Sequence, residues 1–320
     1  MKKRMSVILA LTMAATTMFS AVPAMAKDGD VVNITIWSPT DREQVEAWWT
    51  EKLAEWNEAN PNIQVSREAI DRSDSYAYDN KIATAVTSND LPDIFYVDGP
   101  QVSYYAANGI SIPLSDYFTE DDLSDFVPSS IAQNTYDGQL YAIGATESSV
   151  AFYYNKDYLD QVGVDVPESW DDLVDACAKL KEAGIQPFNY SDKDNYHFEH
   201  LMSALALKAY GTSIADDLAS DKEAYNGEKM VAIYQKMKDM IDAGYWGDGI
   251  LSTDFNTERN MFEAGKAAFT VDGTWNCGNF QNDSDTTLFD AQKIGVTRIP
   301  YIDEANKTVE MGGGSDTYYI

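Results

Sequence analysis

From Val31 the chain alternates between two hydrophobic spacings. In VVNITIWSP, Val32, Ile34 and Ile36 recur at every second position and share one face, which predicts a half-buried strand. In REQVEAWWTEKLAEWNEAN, Val45, Trp48, Trp49, Leu53 and Trp56 recur at three- and four-residue steps. That spacing predicts an amphipathic helix whose indoles face the core, and Asn60-Pro61 stops it. A strand in NIQVSREAI, a helix around Tyr76 to Ser88 and a third strand in DIFYVDG follow. The next helix carries Val102, Tyr105 and Ala106 and ends at Gly109. Strands separated by helices of this length imply βαβ units, an α/β chain and mainly parallel sheets.

The second half repeats the alternation with longer helices. SWDDLVDACAKLKEAG has Ser169 to cap its start and Gly184 to end it. HFEHLMSALALKAYG is more apolar, and GEKMVAIYQKMKDMIDAGYW is amphipathic. NTERNMFEAG opens with a capping signature and leads into the strand KAAFTVDG. No low-complexity linker separates the halves, so ordinary strands must cross any boundary between folding units.

The N-terminus sets the compartment. Lys2, Lys3 and Arg4 precede a mostly apolar run from Val7 to Phe19, and Ala24-Met25-Ala26 offers small residues for cleavage. This reads as a secretory signal peptide over residues 1–26, and hence a periplasmic, cell-surface or extracellular product. The chain carries 52 Asp and Glu against 23 Lys and Arg, a net charge of −29 that argues against nucleic-acid and anionic-membrane partners. With 20 Tyr, 12 Phe and 7 Trp it is not a disordered acidic chain. Cys177 falls on the inward face of its helix and reads as a buried thiol, although an oxidising compartment would also permit a bond to Cys277.

One tryptophan breaks the pattern. In AAFTVDGTWNCGNF the strand stops at Asp272-Gly273, and Trp275 follows at a turn among polar neighbours, where a core has little use for it. The stretches around it resemble the extracellular solute-binding proteins of carbohydrate ABC importers, the large family that includes maltose-binding protein. The matching pieces are LPDIFYVDG, then Asp137, Gly138 and Tyr141, then Tyr154-Asn155-Lys156, then Gly163, Pro167 and Trp170, and last MFEAGKAAFTVDGTW. They run in order over nearly the whole chain.

The resemblance implies two α/β lobes joined by hinge strands, with ligand held in the cleft between them. Mapped here, lobe one spans 30–144 and 290–320, and lobe two spans 148–288. The strands would cross near Ala145–Ser149 and near Ala291–Gly295, with MGGGSD approaching a third crossing. Family members continue past this glycine-rich strand with further helices. The chain therefore reads either as truncated at its C-terminus, the favoured reading, with part of lobe two uncovered, or as having an unusually reduced lobe two.

A sugar needs aromatic planes for its C–H faces and carboxylates or amides for its hydroxyls. The resemblance puts a sugar-stacking indole at Trp275; the alternative is a tryptophan that covers the lobe core. Glu147, at the expected crossing, is acceptor-only and can take two hydroxyl hydrogen bonds, or can serve as a hinge ion-pair partner. Tyr96, Asp98 and Gln101 stand at the carboxyl end of the third strand, where α/β sheets bind ligands, although Asp98 also suits a turn. Trp37 and Asp41 close the first strand. The loop DKDNYHFEH offers Tyr196, with His197 behind it, and Asp316 follows the glycine run. His197, Glu199 and His200 lack a further strong ligand, so no metal is expected, and no cofactor is implied.

The resulting expectation is a monomeric, non-enzymatic binding component. It would capture a sugar or oligosaccharide, close upon it and present the closed form to membrane permease subunits. No G-x-x-x-x-G-K-[ST] occurs for an ATPase of its own. The alternatives are a secreted glycoside hydrolase, which needs two opposed acids, and a ferric-ion or polyamine binder. For the latter, Tyr153-Tyr154 and Tyr318-Tyr319 have suitable oxygens.

Overall fold

The computed structural model describes residues 31–41, 43–71, 77–97, 101–193, 197–277 and 292–320. Residues 1–26, read from sequence as a signal peptide, and the candidates Asp98 and Tyr196 lie outside these residues. The first half runs β1 (Val32–Pro39), α1 (Glu43–Ala59), β2 (Ile63–Ile70), α2 (Ala77–Ser88), β3 (Ile94–Val97), α3 (Val102–Ala107), α4 (Glu120–Ser124) and α5 (Pro128–Gln133). β1 pairs in parallel with β2 along its whole length and with β3 through Ile36–Ile94 and Trp37–Phe95. Tyr78, Ile82, Phe95, Val97, Val102, Tyr105, Ala142 and Tyr319 form this lobe's core.

Helix α1 departs from expectation. None of its residues is buried, and Trp48 and Trp56 are 51% and 48% exposed. Only Trp49 of the three indoles turns to the sheet, against Tyr318 and the Arg67 guanidinium. The helix rests on the sheet through a narrow stripe in which Asn57 hydrogen-bonds both polar groups of the Val65 backbone. Its other indoles lie beside that stripe. Helical spacing reports the width of an apolar face but not how much of it finds a neighbour.

A hairpin of β4 (Thr135–Tyr136) and β5 (Gln139–Leu140) turns at Asp137-Gly138, both with positive φ, as a two-residue hairpin requires. It leads into β6 (Ala142–Asn155), a 14-residue strand that runs from one core to the other. The chain continues through α6 (Lys156–Val162), α7 (Trp170–Glu182), α8 (His197–Tyr210), α9 (Ser213–Ser220), α10 (Glu228–Asp242), α11 (Phe255–Glu263), β7 (Phe269–Gly273), β8 (Ile294–Thr297) and β9 (Gly312–Tyr319). The second core gathers β6 and β7 with α7, α8 and α10 around Phe152, Leu180, Phe188, Trp246 and Phe269. Ser169 caps α7, as its sequence predicts, and the structure adds a reciprocal bond from Asp172, while Asn155 caps α6. For α11 the cap is Asp254, upstream of the expected signature. Cys177 and Cys277 are not bonded to each other, and burial pushes the Cys177 thiol up.

The parallel pairing expected of βαβ units is found among β1, β2 and β3. The strands that join the lobes pair antiparallel: β9 returns along Ala142–Ser149 of β6, while β7 and β8 take its far end. This revises the boundary. The sequence mapping places 290 onward in lobe one, yet β8 pairs with Phe152–Asn155, and Ile299, Ile302 and Met311 pack on the second core. The Trp170 N–H donates to the Tyr301 carbonyl at 2.7 Å, and the buried Lys208 ammonium reaches Glu310 at 2.8 Å. Residues 294–311 thus belong with lobe two, and the return to lobe one runs along Gly312–Tyr319. The alternation in IGVT fits an edge strand on either lobe, so local pattern could not assign it.

Lys208→Met tests this docking. The change leaves the Lys307 carbonyl without the ammonium but leaves Glu310 its contact with Arg298. The expected loss is about 1–2 kcal/mol, measured by denaturant unfolding.

Candidate ligand-binding site

The candidate residues converge where β6 passes between the cores. Val150 of β6 stands opposite Gly273, the last residue of β7, and the Ser149 N–H donates to Thr274 Oγ at 3.2 Å. This ties the crossing strand to the turn Thr274–Asn276, which carries Trp275. Glu147, also on the crossing segment, is exposed, and its Oε1 accepts from the Ser129 hydroxyl at 2.8 Å. Its backbone partner is Gly314, and the neighbouring Gly313 lets α5 approach, since a Cβ there would fall 2.1 Å from Gln133 Nε2. β3 reaches the same crossing from lobe one, because Val97 pairs with Thr317 of β9.

Trp275 is 36% exposed. Its six-membered ring lies over Gly273, where a Cβ would sit 2.1 Å from ring carbons, and His200 tilts against it at 5.7 Å between ring centroids. Beneath the turn is a buried polar cluster. Asp272 accepts from the Gly273 N–H at 2.7 Å and from the Asn276 amide at 2.6 Å, so one carboxylate clips both ends of the turn. His197, 2% exposed, stands with Nδ1 2.8 Å from Glu258 and Nε2 3.8 Å from Asp272. Its ring stacks on Tyr190 at 4.6 Å. Glu258 also accepts from the Ser191 hydroxyl at 2.5 Å and the Thr270 hydroxyl at 2.8 Å. Burial pushes the Asp272 carboxyl up to about 7, against the pull of the His197 charge and the Gly273 N–H. Burial also works against charge on His197, but the hydrogen bond to Glu258 and the charges of Glu258 and Asp272 outweigh it, and its pKa is raised.

The other sequence candidates scatter. His197 stands behind the turn rather than open to solvent. Tyr96 is corrected to core: it is 3% exposed, with Tyr78 and Tyr318 each 5.7 Å away, because alternation on a fully covered strand turns both faces inward. Trp37 is half-buried against the lobe-one core, and the Lys81 ammonium sits 4.0 Å over its ring. Asp41 and Gln101 are exposed at the ends they were expected to mark. Asp316 lies in the course of β9, and only that course is described for it. Sequence reasoning missed Ser129, Thr274, Glu258 and Asn276; the flanking of Gly-Thr-Trp by Asp and Asn was the available signal for the clip. Among the described residues no three His, Cys, Asp or Glu side chains gather as a metal ion requires.

The crossing strand β6 thus carries the exposed Glu147 and is tied through Ser149 to the turn that bears the partly open Trp275 indole. Comparison with known proteins agrees with such an architecture. A chitin oligosaccharide binding protein of known structure superimposes with a TM-score of 0.81 at 23% identity, covering 91% of this chain and 73% of that one. The maltotriose-binding protein of Pyrococcus abyssi is 24% identical over 204 residues, 64% of this chain and 42% of that protein. The arabinooligosaccharide-binding protein of Bacillus subtilis is 25% identical over 250 residues, 76% of this chain and 55% of that protein. The chain thus spans about half the length of these two relatives. Residues 40–320 match the family described as bacterial extracellular solute-binding protein, and the chain belongs to that family.

Proposed function

We propose that the protein captures a sugar or oligosaccharide at the crossing of its two lobes, without chemistry, and delivers it to the permease of an ABC importer. The observation that carries the reading is Trp275, an indole left partly open on a turn that is hydrogen-bonded to the same crossing strand as the acceptor Glu147. Stacking of an aromatic plane on a pyranose face, with a carboxylate at the hydroxyl edge, is the recognition that such residues support. The names of the oligosaccharide-binding relatives point the same way. Secretion across the cytoplasmic membrane, a monomeric state and closure of the lobes about β6 and β9 complete the proposal.

Titration of tryptophan emission with maltotriose, arabino-oligosaccharides, chito-oligosaccharides and raffinose tests it. Saturable binding, with the sugar recovered intact, is the expected result; cleavage products would favour the glycoside hydrolase, and no response to any sugar would defeat the reading. For a sugar that binds, Glu147→Gln should weaken affinity about tenfold, because a charged acceptor is exchanged for a neutral amide. Ser129→Ala should weaken it only about two- to fivefold, since the hydroxyl orients the carboxylate rather than meeting the sugar. Calorimetric titration of the two variants gives this ordering, and equal losses would remove Glu147 from the site.

A further inference from the structure

We propose that Gly273, Asp272 and Asn276 form a seat that fixes the Trp275 indole, making Gly273 a positioning residue for the ligand. The geometry carries this. Gly273 has φ −78° and ψ 160°, extended backbone that any residue adopts, so local conformation does not require glycine there. What excludes a side chain is the indole: a Cβ would stand 2.1, 2.1 and 2.2 Å from three of its ring carbons. The ring is therefore in contact with backbone. Asp272, 3% exposed, and Asn276, 1% exposed, close the turn from below, and His197 with Glu258 backs Asp272 from α8 and α11. The Tyr153 hydroxyl donates to the Gly273 carbonyl at 3.3 Å and holds the same residue from β6. A ring resting on a backbone that buried polar groups hold in place keeps its orientation before ligand arrives, so less ordering has to accompany binding.

The experiment labels the full chain with 5-fluorotryptophan, assigns the Trp275 fluorine resonance by its loss in Trp275→Phe, and compares Gly273→Ala and Asn276→Ala with the unsubstituted protein. Gly273→Ala should shift the Trp275 resonance while the other indole resonances stay in place. In a thermal double-mutant cycle it should lower Tm when Trp275 is present and leave Tm unchanged in the Trp275→Ala background, since the clash is with the ring alone. Asn276→Ala should broaden or move the same resonance. An unmoved resonance in both single variants would overturn the proposal. So would an equal Tm loss from Gly273→Ala in the two backgrounds, or a Gly273→Ala/Trp275→Ala protein that fails to fold. The ligand arm rests on the sugar-binding reading: a sugar that binds the unsubstituted protein should lose at least tenfold in affinity with Gly273→Ala. If no sugar binds the unsubstituted protein, that reading fails, while the resonance and the cycle still decide the seat.

Discussion

Replacing Trp275 with alanine should weaken binding of a recognised sugar by about 100-fold or more, roughly 3 kcal/mol, while costing under about 1 kcal/mol of folding stability. The two numbers separate because of where the ring sits. A core aromatic truncated to alanine costs about 3–5 kcal/mol, since it leaves a cavity that neighbours cannot fill. The Trp275 ring is more than a third open and rests on the Gly273 backbone and His200, so its removal vacates surface rather than interior. Calorimetry measures affinity without relying on the deleted fluorophore, and urea unfolding measures stability. A stability loss of core size with affinity intact would make Trp275 a cover for lobe two, and the carbohydrate reading would then lose its physical basis.

Stability should fall as pH rises from 5 to 8, by about 2 kcal/mol or roughly 5 °C in Tm, through the cluster beneath the same turn. A carboxyl whose pKa is raised from 3.8 to about 7 on folding contributes stability that is complete below the unfolded value and drains away as pH climbs towards 7. A histidine whose pKa is raised above 6.5 contributes stability that is present below that value and lost as pH passes through the folded one. Both signs agree. The charged and titratable groups around the pair are Glu258 and Arg259 on α11, Tyr190 ahead of α8, and Tyr153 on β6. The chain has only two histidines, so few other side chains titrate in this window. Asp272→Asn should flatten the profile because the amide stays neutral throughout, and the comparison is made by thermal melts at constant ionic strength. A profile equally steep in Asp272→Asn would place the pH dependence elsewhere.

Much of this architecture was legible in the residues. Alternation in β1, the strand at β3 and the Ser169 cap of α7 each report local physics, and each appears where its pattern stood. Trp275 could be picked out because an indole after a turn signal has no local reason to be there. The errors share one cause. The assignment of Tyr96 to the cleft, of Trp48 and Trp56 to the core, and of 294–311 to lobe one all required knowing which surface would meet which. Spacing carries no such information.

Local sequence by itself determined the α/β alternation, the Ser169 helix start, the turn after Asp272-Gly273 and the presence of one misplaced indole, because propensity, capping and periodicity act over a few residues. Tertiary structure alone decided which lobe claims β8 and that β9 carries the chain back along β6. It also brought His197 of α8 together with Glu258 of α11 and Asp272 of β7 beneath a single turn. The reason is physical: burial and pairing depend on surfaces supplied by residues far away in the chain, and a carboxylate can be buried only where those residues deliver its donors.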